Sequence, residues 1–203
     1  MHVQWIAPHL VVTARQLPTP VRLHWSLLPG LAFFGHGTLG GALGFFVLLL
    51  AHELGHAFLV RKRGLYAVSI DLHWMGGECR YAAGWGTPLD HAIIAWGGVV
   101  AQGLLLAATF ALVRVLEPHG GFVGDLARAL LVSNLLLIVL NLVPVPPLDG
   151  AKAWSLFPLL LARRRRRVLE LRHDALHREL AAIERRKARA RDEDEDDDDG
   201  ILH

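Results

Sequence analysis

The stretch "LLLAHELGHAFLVRKRG" (residues 48–64) decides the fold class, because it places three ionisable side chains inside an apolar run. His52, Glu53 and His56 follow a long series of Leu, Val, Phe and Ala residues, as expected of a helix that crosses a bilayer. Ionisable groups inside a membrane are costly and usually mark a functional site. The stretch therefore predicts a membrane helix with a polar site on one face.

Further apolar segments predict a multi-pass membrane protein, in a chain of 203 residues of which 53% are hydrophobic. Three segments are each close to the ~20 residues that cross a bilayer: 39–60, 92–116 and 126–143. A shorter segment at 26–35 is interpreted as a short first membrane helix. We therefore expect an all-α multi-pass membrane protein with about four membrane helices. A short helix at 151–162 and a small membrane-associated hairpin within 65–86 complete the prediction.

The composition divides the chain into three parts. Residues 1–24 form an N-terminal surface segment without the apolar core of a cleavable signal peptide. Residues 25–162 form the membrane-embedded core, and residues 163–203 form a charged cytoplasmic helix with a disordered acidic tail. The apolar stripe of that helix either lies on the membrane or a partner, or packs against its own domain. The five arginines at 163–167 favour contact with anionic lipid.

The distribution of positive charge predicts the orientation. Lysine and arginine occupy positions 61–63 and 163–167, near the ends of the second and fourth predicted helices, whereas the connection "GHGTLG" at 35–40 has neither. Since cytoplasmic loops are enriched in these residues, both termini are expected on the cytoplasmic side of the cell membrane. The formal net charge of +2 is the sum of a strongly basic run and a strongly acidic run, so it does not identify a partner. No nucleic-acid partner is expected.

The spacing of His52 and His56 predicts a metal site. Residues four apart project from the same face of a helix, which suits two imidazole nitrogens on one Zn²⁺ at about 2.0–2.1 Å. Glu53 points in a different direction and could act as general base toward a water. Only ~0.03 such H-E-x-x-H patterns are expected by chance from this composition. The alternative is that both histidines form ordinary hydrogen bonds in a helix bundle.

The stretch "NLVPVPPLDG" (residues 141–150) offers a third metal ligand. Catalytic zinc needs three protein ligands and one open position. The prolines break the helix before Asp149, which frees the backbone to direct its carboxylate inward. The alternative is that Asp149 caps the helix that begins near Ala151.

These two stretches resemble the signature pair of the site-2 protease family, which consists of intramembrane zinc metalloproteases. The resemblance covers about residues 22–160 and includes two weaker matches, "RLHWSLL" and "HWMGGECRY". It implies that His52, His56 and Asp149 are zinc ligands and that Glu53 is the catalytic base. It also implies that Asn141 helps to hold the substrate or the oxyanion.

One segment departs from the family pattern. Where the family often has a Gly-Pro-x-x-Asn-like segment in the third core helix, this chain reads "GGVVAQ". Gln102 would replace the asparagine, and Val99 stands at the position of the proline. The departure concerns substrate handling rather than the metal site.

The sequence therefore predicts an intramembrane zinc endopeptidase. Its partners would be the lipid bilayer and a membrane protein whose transmembrane segment it cleaves. The alternative is a non-catalytic metal-binding or scaffold protein of the same fold. Metal binding alone would not need Glu53, which favours the enzyme. The oligomeric state is not predicted.

Overall fold

A computed structural model describes residues 2–14, 17–82, 84, 86–118 and 120–199. The chain is mostly helical, with one small sheet. The strands are β1 His2–Ile6, β2 His9–Ala14, β3 Leu17–His24, β4 Ala67–His73 and β5 Gly76–Tyr81. The helices are α1 Leu27–Phe34, α2 Leu39–Lys62, α3 Pro88–Leu116, α4 Gly121–Arg128, α5 Asn134–Asn141, α6 Gly150–Ala153 and α7 Leu156–Asp199. A π-helical turn, Ala129–Ser133, joins α4 to α5.

Three helical stretches of the described residues are long and apolar enough to cross a membrane. They are α2, α3 and the combined stretch Gly121–Asn141, which contains α4, the π-turn and α5. The helix α1 has eight residues and therefore a length of ~12 Å, well short of the ~30 Å hydrocarbon core of a bilayer. Three of the four predicted membrane helices thus have suitable counterparts, and the predicted total of four is not confirmed.

A five-stranded sheet corrects the expectation of an all-α chain. The strand order is β1-β2-β3-β4-β5. The predicted hairpin is present as β4 and β5, which pair antiparallel. Its partner strand was not predicted: β3 pairs parallel with β4 and places Val21 opposite Ile70. A parallel pair needs a long crossover, here α1 and α2, so the pairing has no local signal in the sequence.

The ends of α2 and α3 follow ordinary capping rules. The Thr38 hydroxyl accepts a hydrogen bond from the Gly41 N–H at 3.0 Å and starts α2. The helix ends at Lys62, because Gly64 follows Arg63 with a positive φ of 73°. At the start of α3, Asp90 belongs to a capping box and also pairs with Arg63. The ion pair joins the end of α2 to the start of α3 across the base of the β4–β5 hairpin.

Small residues bring α2 and α3 very close together. A Cβ atom added to Gly97 would lie 2.5 Å from the carbonyl oxygen of Gly55 and 3.0 Å from the Cα atom of His56. The run "WGGVVAQG" is rich in small residues, which allow such close helix contact. The crossing point lies at the His-Glu-x-x-His segment, so the backbone of α3 lines the site.

The chain forms two compact units, Met1–Leu156 and Phe157–His203. The core of the first unit lies where α2, α3 and the sheet meet, and includes Leu49, Ile70 and Ile94. In the second unit α7 runs as a helix as far as Asp199, through the acidic run for which composition predicts disorder. The predicted division at residues 24 and 162 stays a prediction.

Candidate metal centre

The helix α2 supplies three buried polar side chains to one place. His52, Glu53 and His56 are only 8%, 3% and 6% exposed. The Nε2 atoms of His52 and His56 lie 3.1 Å apart, as the spacing of one helical turn predicts. Polar groups buried this deeply need partners, and those partners come from other elements.

Asp149 brings a carboxylate to the same point. Its Oδ2 atom lies 2.8 Å from Nε2 of His52 and 3.0 Å from Nε2 of His56. Asp149 does occupy the N-cap position of α6, but its side chain makes no capping hydrogen bond. Its carboxylate is therefore directed toward the histidines, although its backbone begins a helix.

The loop before α6 is packed tightly enough to direct this carboxylate. A Cβ atom on Gly150 would lie 2.5 Å from the carbonyl oxygen of Leu142, so only glycine fits there without a shift. The indole N–H of Trp154 donates to the same carbonyl at 2.7 Å. The indole N–H of Trp96, on α3, donates to the carbonyl oxygen of Ala153 at 2.9 Å. These contacts hold the segment around Asp149 against the end of α5 and against α3.

The outer nitrogen of each histidine faces a hydrogen-bond acceptor. Nδ1 of His52 lies 3.0 Å from Oε1 of Gln102, and Nδ1 of His56 lies 2.8 Å from the carbonyl oxygen of Ile94. An acceptor at Nδ1 requires a proton there, which leaves the Nε2 lone pair of a neutral imidazole pointing inward. Two imidazole nitrogens and a carboxylate then face one another, an arrangement that calls for a shared proton or a metal cation between them.

The residues present fit a zinc ion. The three ligand atoms lie within 4.8 Å of one another, and the described residues contain one such group. Ligands about 2.0–2.1 Å from a tetrahedral ion are about 3.3–3.4 Å apart, so these side chains need to separate by only a few tenths of an ångström. Burial raises the pKa of Asp149, but the hydrogen bonds with His52 and His56 outweigh burial and lower it below its ordinary value. The group is therefore a carboxylate, the form that binds a metal.

Glu53 lies beside this group and not within it. Its carboxylate packs against β5, where a Cβ atom on Gly77 would lie 2.6 Å from Oε1 of Glu53. The carboxylate also accepts a hydrogen bond from the backbone of Cys79. The Gly-Gly centre of the hairpin thus gives Glu53 the space that a larger residue would fill.

Comparison with known proteins gives relatives and a structural neighbour but no matching family model. "Putative zinc metalloprotease Rip3" of Mycobacterium tuberculosis is 35% identical over 157 residues, covering 65% of this chain and 39% of the relative. "Putative zinc metalloprotease sll0528" of Synechocystis is 30% identical over 154 residues, covering 66% and 40%. The structure of a site-2 protease from Methanocaldococcus jannaschii superposes with a TM-score of 0.54 at 18% identity, covering 76% of this chain and 72% of that one.

The named relatives support the resemblance to the site-2 protease family, and the solved site-2 protease shares its fold with this chain. The sequence resemblance is therefore confirmed. The chain spans about two fifths of the length of the curated relatives that it matches.

The family pattern connects two further residues, Gln102 and Asn141, with substrate, and the structure gives them different surroundings. Gln102 is almost completely buried and lies against His52. Asn141 is half-buried at the last position of α5. Its role in binding substrate stays a prediction.

Sequence reasoning missed three groups that shape this site. The carbonyl of Ile94 has no signal in the sequence, because every residue has a carbonyl. Gly98 packs against the imidazole of His52, and Gly77 packs against Glu53. Both glycines lie in runs of small residues, which indicate helix packing or turns and not a metal site.

Proposed function

We propose that this chain is an intramembrane zinc endopeptidase that hydrolyses peptide bonds within or near transmembrane segments of membrane proteins. The observation that carries the proposal is the convergence of His52, His56 and Asp149 on one point, with Glu53 beside it. Three of the four residues lie on α2, a helix long enough to cross a membrane, and Asp149 follows another such stretch.

The proposed roles divide between metal ligands and a base. His52, His56 and Asp149 hold the zinc ion, which supplies a Lewis acid that polarises a carbonyl and acidifies a water molecule. Glu53 accepts the proton of the attacking water and passes it to the leaving amine. Asn141 holds the substrate backbone or the oxygen on which negative charge develops.

The proposed substrate is a transmembrane segment that unwinds at the site. A helical segment in lipid has its carbonyl groups hydrogen-bonded and shielded by side chains, so attack requires local opening of the helix. Non-helical backbone at membrane depth is stable only where protein or a water-filled cavity surrounds it. The β4–β5 hairpin beside Glu53 offers such surroundings.

We further propose that the protein lies in the cell membrane with both termini in the cytoplasm. The support is the clustering of Lys and Arg at positions 61–63 and 163–167, since cytoplasmic segments are enriched in these residues. Cysteines introduced as Gly37→Cys and Arg63→Cys, in a Cys79→Ser background, should react with membrane-impermeant reagents from opposite sides. Gly37→Cys should react from outside and Arg63→Cys from the cytoplasm. Reaction of both from one side would contradict this orientation.

The experiment that tests the function is cleavage of a panel of single-span membrane proteins by the purified protein. Each reaction is run with and without a zinc chelator, and with the Glu53→Gln variant as a matched control. We expect cleavage within or beside the membrane span that the chelator and the substitution each abolish. Bound zinc without cleavage of any substrate would instead favour a metal-binding or scaffold protein.

A further inference from the structure

We infer that Gln102 is a positioning residue of the metal centre, which fixes the imidazole of His52 and is itself held by Asn134. The inference rests on the proposed function, because it assumes that His52 binds zinc. It gives Gln102 a role that differs from the substrate contact implied by the family pattern.

The two histidines are oriented by different kinds of group. Nδ1 of His56 faces the backbone carbonyl of Ile94, which any residue at that position would supply. Nδ1 of His52 faces the side-chain oxygen of Gln102 at 3.0 Å, which depends on this one residue. A histidine ligand needs such an acceptor at its outer nitrogen to fix its tautomer and its ring orientation. Gln102 is therefore the orienting group that a point substitution can remove.

The surroundings leave the His52 ring little choice of acceptor. A Cβ atom on Gly98 would lie 2.5 Å from Nδ1 of His52, so the ring packs directly on the backbone of α3. Gly98 and Gln102 are one helical turn apart and share a face of α3. Gln102 is only 1% exposed, and a buried amide in an apolar setting is costly unless it is hydrogen-bonded.

Asn134 holds the backbone of Gln102 from a third helix. Its side-chain amide donates to the carbonyl oxygen of Gln102 at 3.0 Å, and the residue is completely buried. Its Oδ1 atom makes no hydrogen bond within the described part of the chain. Burying an amide with one hydrogen bond unmade costs free energy. The contact with Gln102 explains why an asparagine is nevertheless buried here.

The π-turn contributes to this contact. Ala129–Ser133 forms the turn, and Asn134 follows it directly. An inserted π-turn changes which face the next helical residues present, and such turns occur frequently at functional sites. The connected groups thus run from α5 through Gln102 on α3 to His52 on α2.

The test measures zinc affinity by chelator competition in two variants of the full chain. Gln102→Met keeps the size of the side chain and removes the acceptor, whereas Gln102→Glu keeps an acceptor oxygen. We expect Gln102→Met to bind zinc about 10–100-fold more weakly, the loss typical of an outer partner of a ligand. Gln102→Glu should stay within about threefold of the wild type, because its oxygen still accepts from Nδ1.

Cobalt substitution adds a measurement that a packing role would not change. The visible absorption of Co²⁺ bound to Gln102→Met should differ from that of the wild type, because the ring of His52 is no longer fixed. Thr109→Val, which removes another buried polar group two turns along α3, should leave both affinity and spectrum unchanged. If Gln102→Glu does not fold, the comparison of Gln102→Met with Thr109→Val still distinguishes a positioning role from a packing role.

Two outcomes separate the inference from the proposed function. Wild-type protein that binds no zinc would overturn the proposed function, and the positioning role with it. Wild-type protein that binds zinc, together with wild-type affinity and spectrum in Gln102→Met, would overturn the positioning role alone. Equal losses of affinity in folded Gln102→Met and Gln102→Glu would also overturn it.

Discussion

Two pairs of histidines in this chain have the same sequence spacing and the same distance between their Nε2 atoms. His52 and His56 on α2 have Nε2 atoms 3.1 Å apart, and His173 and His177 on α7 have Nε2 atoms 3.1 Å apart. The first pair is buried and the second is exposed. A distance set by one turn of helix therefore does not distinguish a metal centre from a polar surface.

The difference lies in what other elements bring to each pair. At the first pair α3 orients both outer nitrogens, and the loop before α6 adds the carboxylate of Asp149. Among the described residues, the one group of three potential ligands is the group at the first pair. A metal centre thus requires a third ligand and fixed rings, and both depend on tertiary structure.

The sharpest test of this comparison removes one histidine from each pair. His56→Ala leaves zinc with two ligands, so its affinity should fall by more than the ~100-fold loss expected of an outer partner. His177→Ala should leave the zinc affinity of the centre at His52 and His56 unchanged. Both are measured by chelator competition on purified protein. Similar losses in the two variants would mean that the pairs contribute equally to zinc binding.

The next largest effect is expected from Glu53→Gln. The amide cannot accept the proton of water, so cleavage should fall by about 10²–10⁴-fold, the usual contribution of a general base. Zinc content should match the wild type, because Glu53 is not among the converging ligands. Metal analysis and a cleavage assay on the same preparation check both parts. Substantial cleavage by this variant would exclude Glu53 as the base.

A smaller effect is expected where α3 supports His52. Gly98→Ala places a methyl group against the imidazole of His52, and should weaken zinc binding by about 10-fold. Overpacking of this kind also costs about 1–3 kcal/mol of stability. Gly103→Ala is the matched control, because a Cβ atom there meets nothing within 4 Å. Equal zinc affinity in the two variants would show that the His52 ring tolerates displacement.

The smallest effect concerns the thiol beside Glu53. Burial, and after it the charge of Glu53, raises the pKa of Cys79 to about 12, so the unreactive thiol form dominates at pH 8. Alkylation of Cys79 should be slow at pH 8 and should accelerate as the pH rises toward 12. A cysteine introduced as Ala175→Cys, on the exposed helix α7, should react much faster at pH 8. Equal rates would show that the region around Glu53 is open to solvent.

Much of the site could be predicted because its signals are local. The apolar run around them and the spacing of the two histidines placed His52, Glu53 and His56 on one helix. The prolines before Asp149 indicated a broken backbone. The hairpin was predicted within residues 65–86. Each signal lies within a few residues of the element that it specifies.

The rest could not be predicted because it depends on pairings between distant segments. The parallel contact of β3 with β4 joins strands separated by two helices. The role of Gln102 depends on the crossing of α2 and α3, and that of Asn134 on the π-turn before it. The carbonyl of Ile94 carries no side-chain signal. Such contacts appear only when the chain is folded.

The central claim is that a carboxylate from another element completes the histidine pair, and Asp149→Ala tests it most directly. The measurement is the zinc content of the purified variant after dialysis against a weak chelator, with His56→Ala as the positive control for loss. We expect Asp149→Ala to lose its zinc and its cleavage activity. If Asp149 served only as a helix cap, the variant would lose about 1 kcal/mol of stability and keep its zinc. Full zinc occupancy in Asp149→Ala would contradict the account.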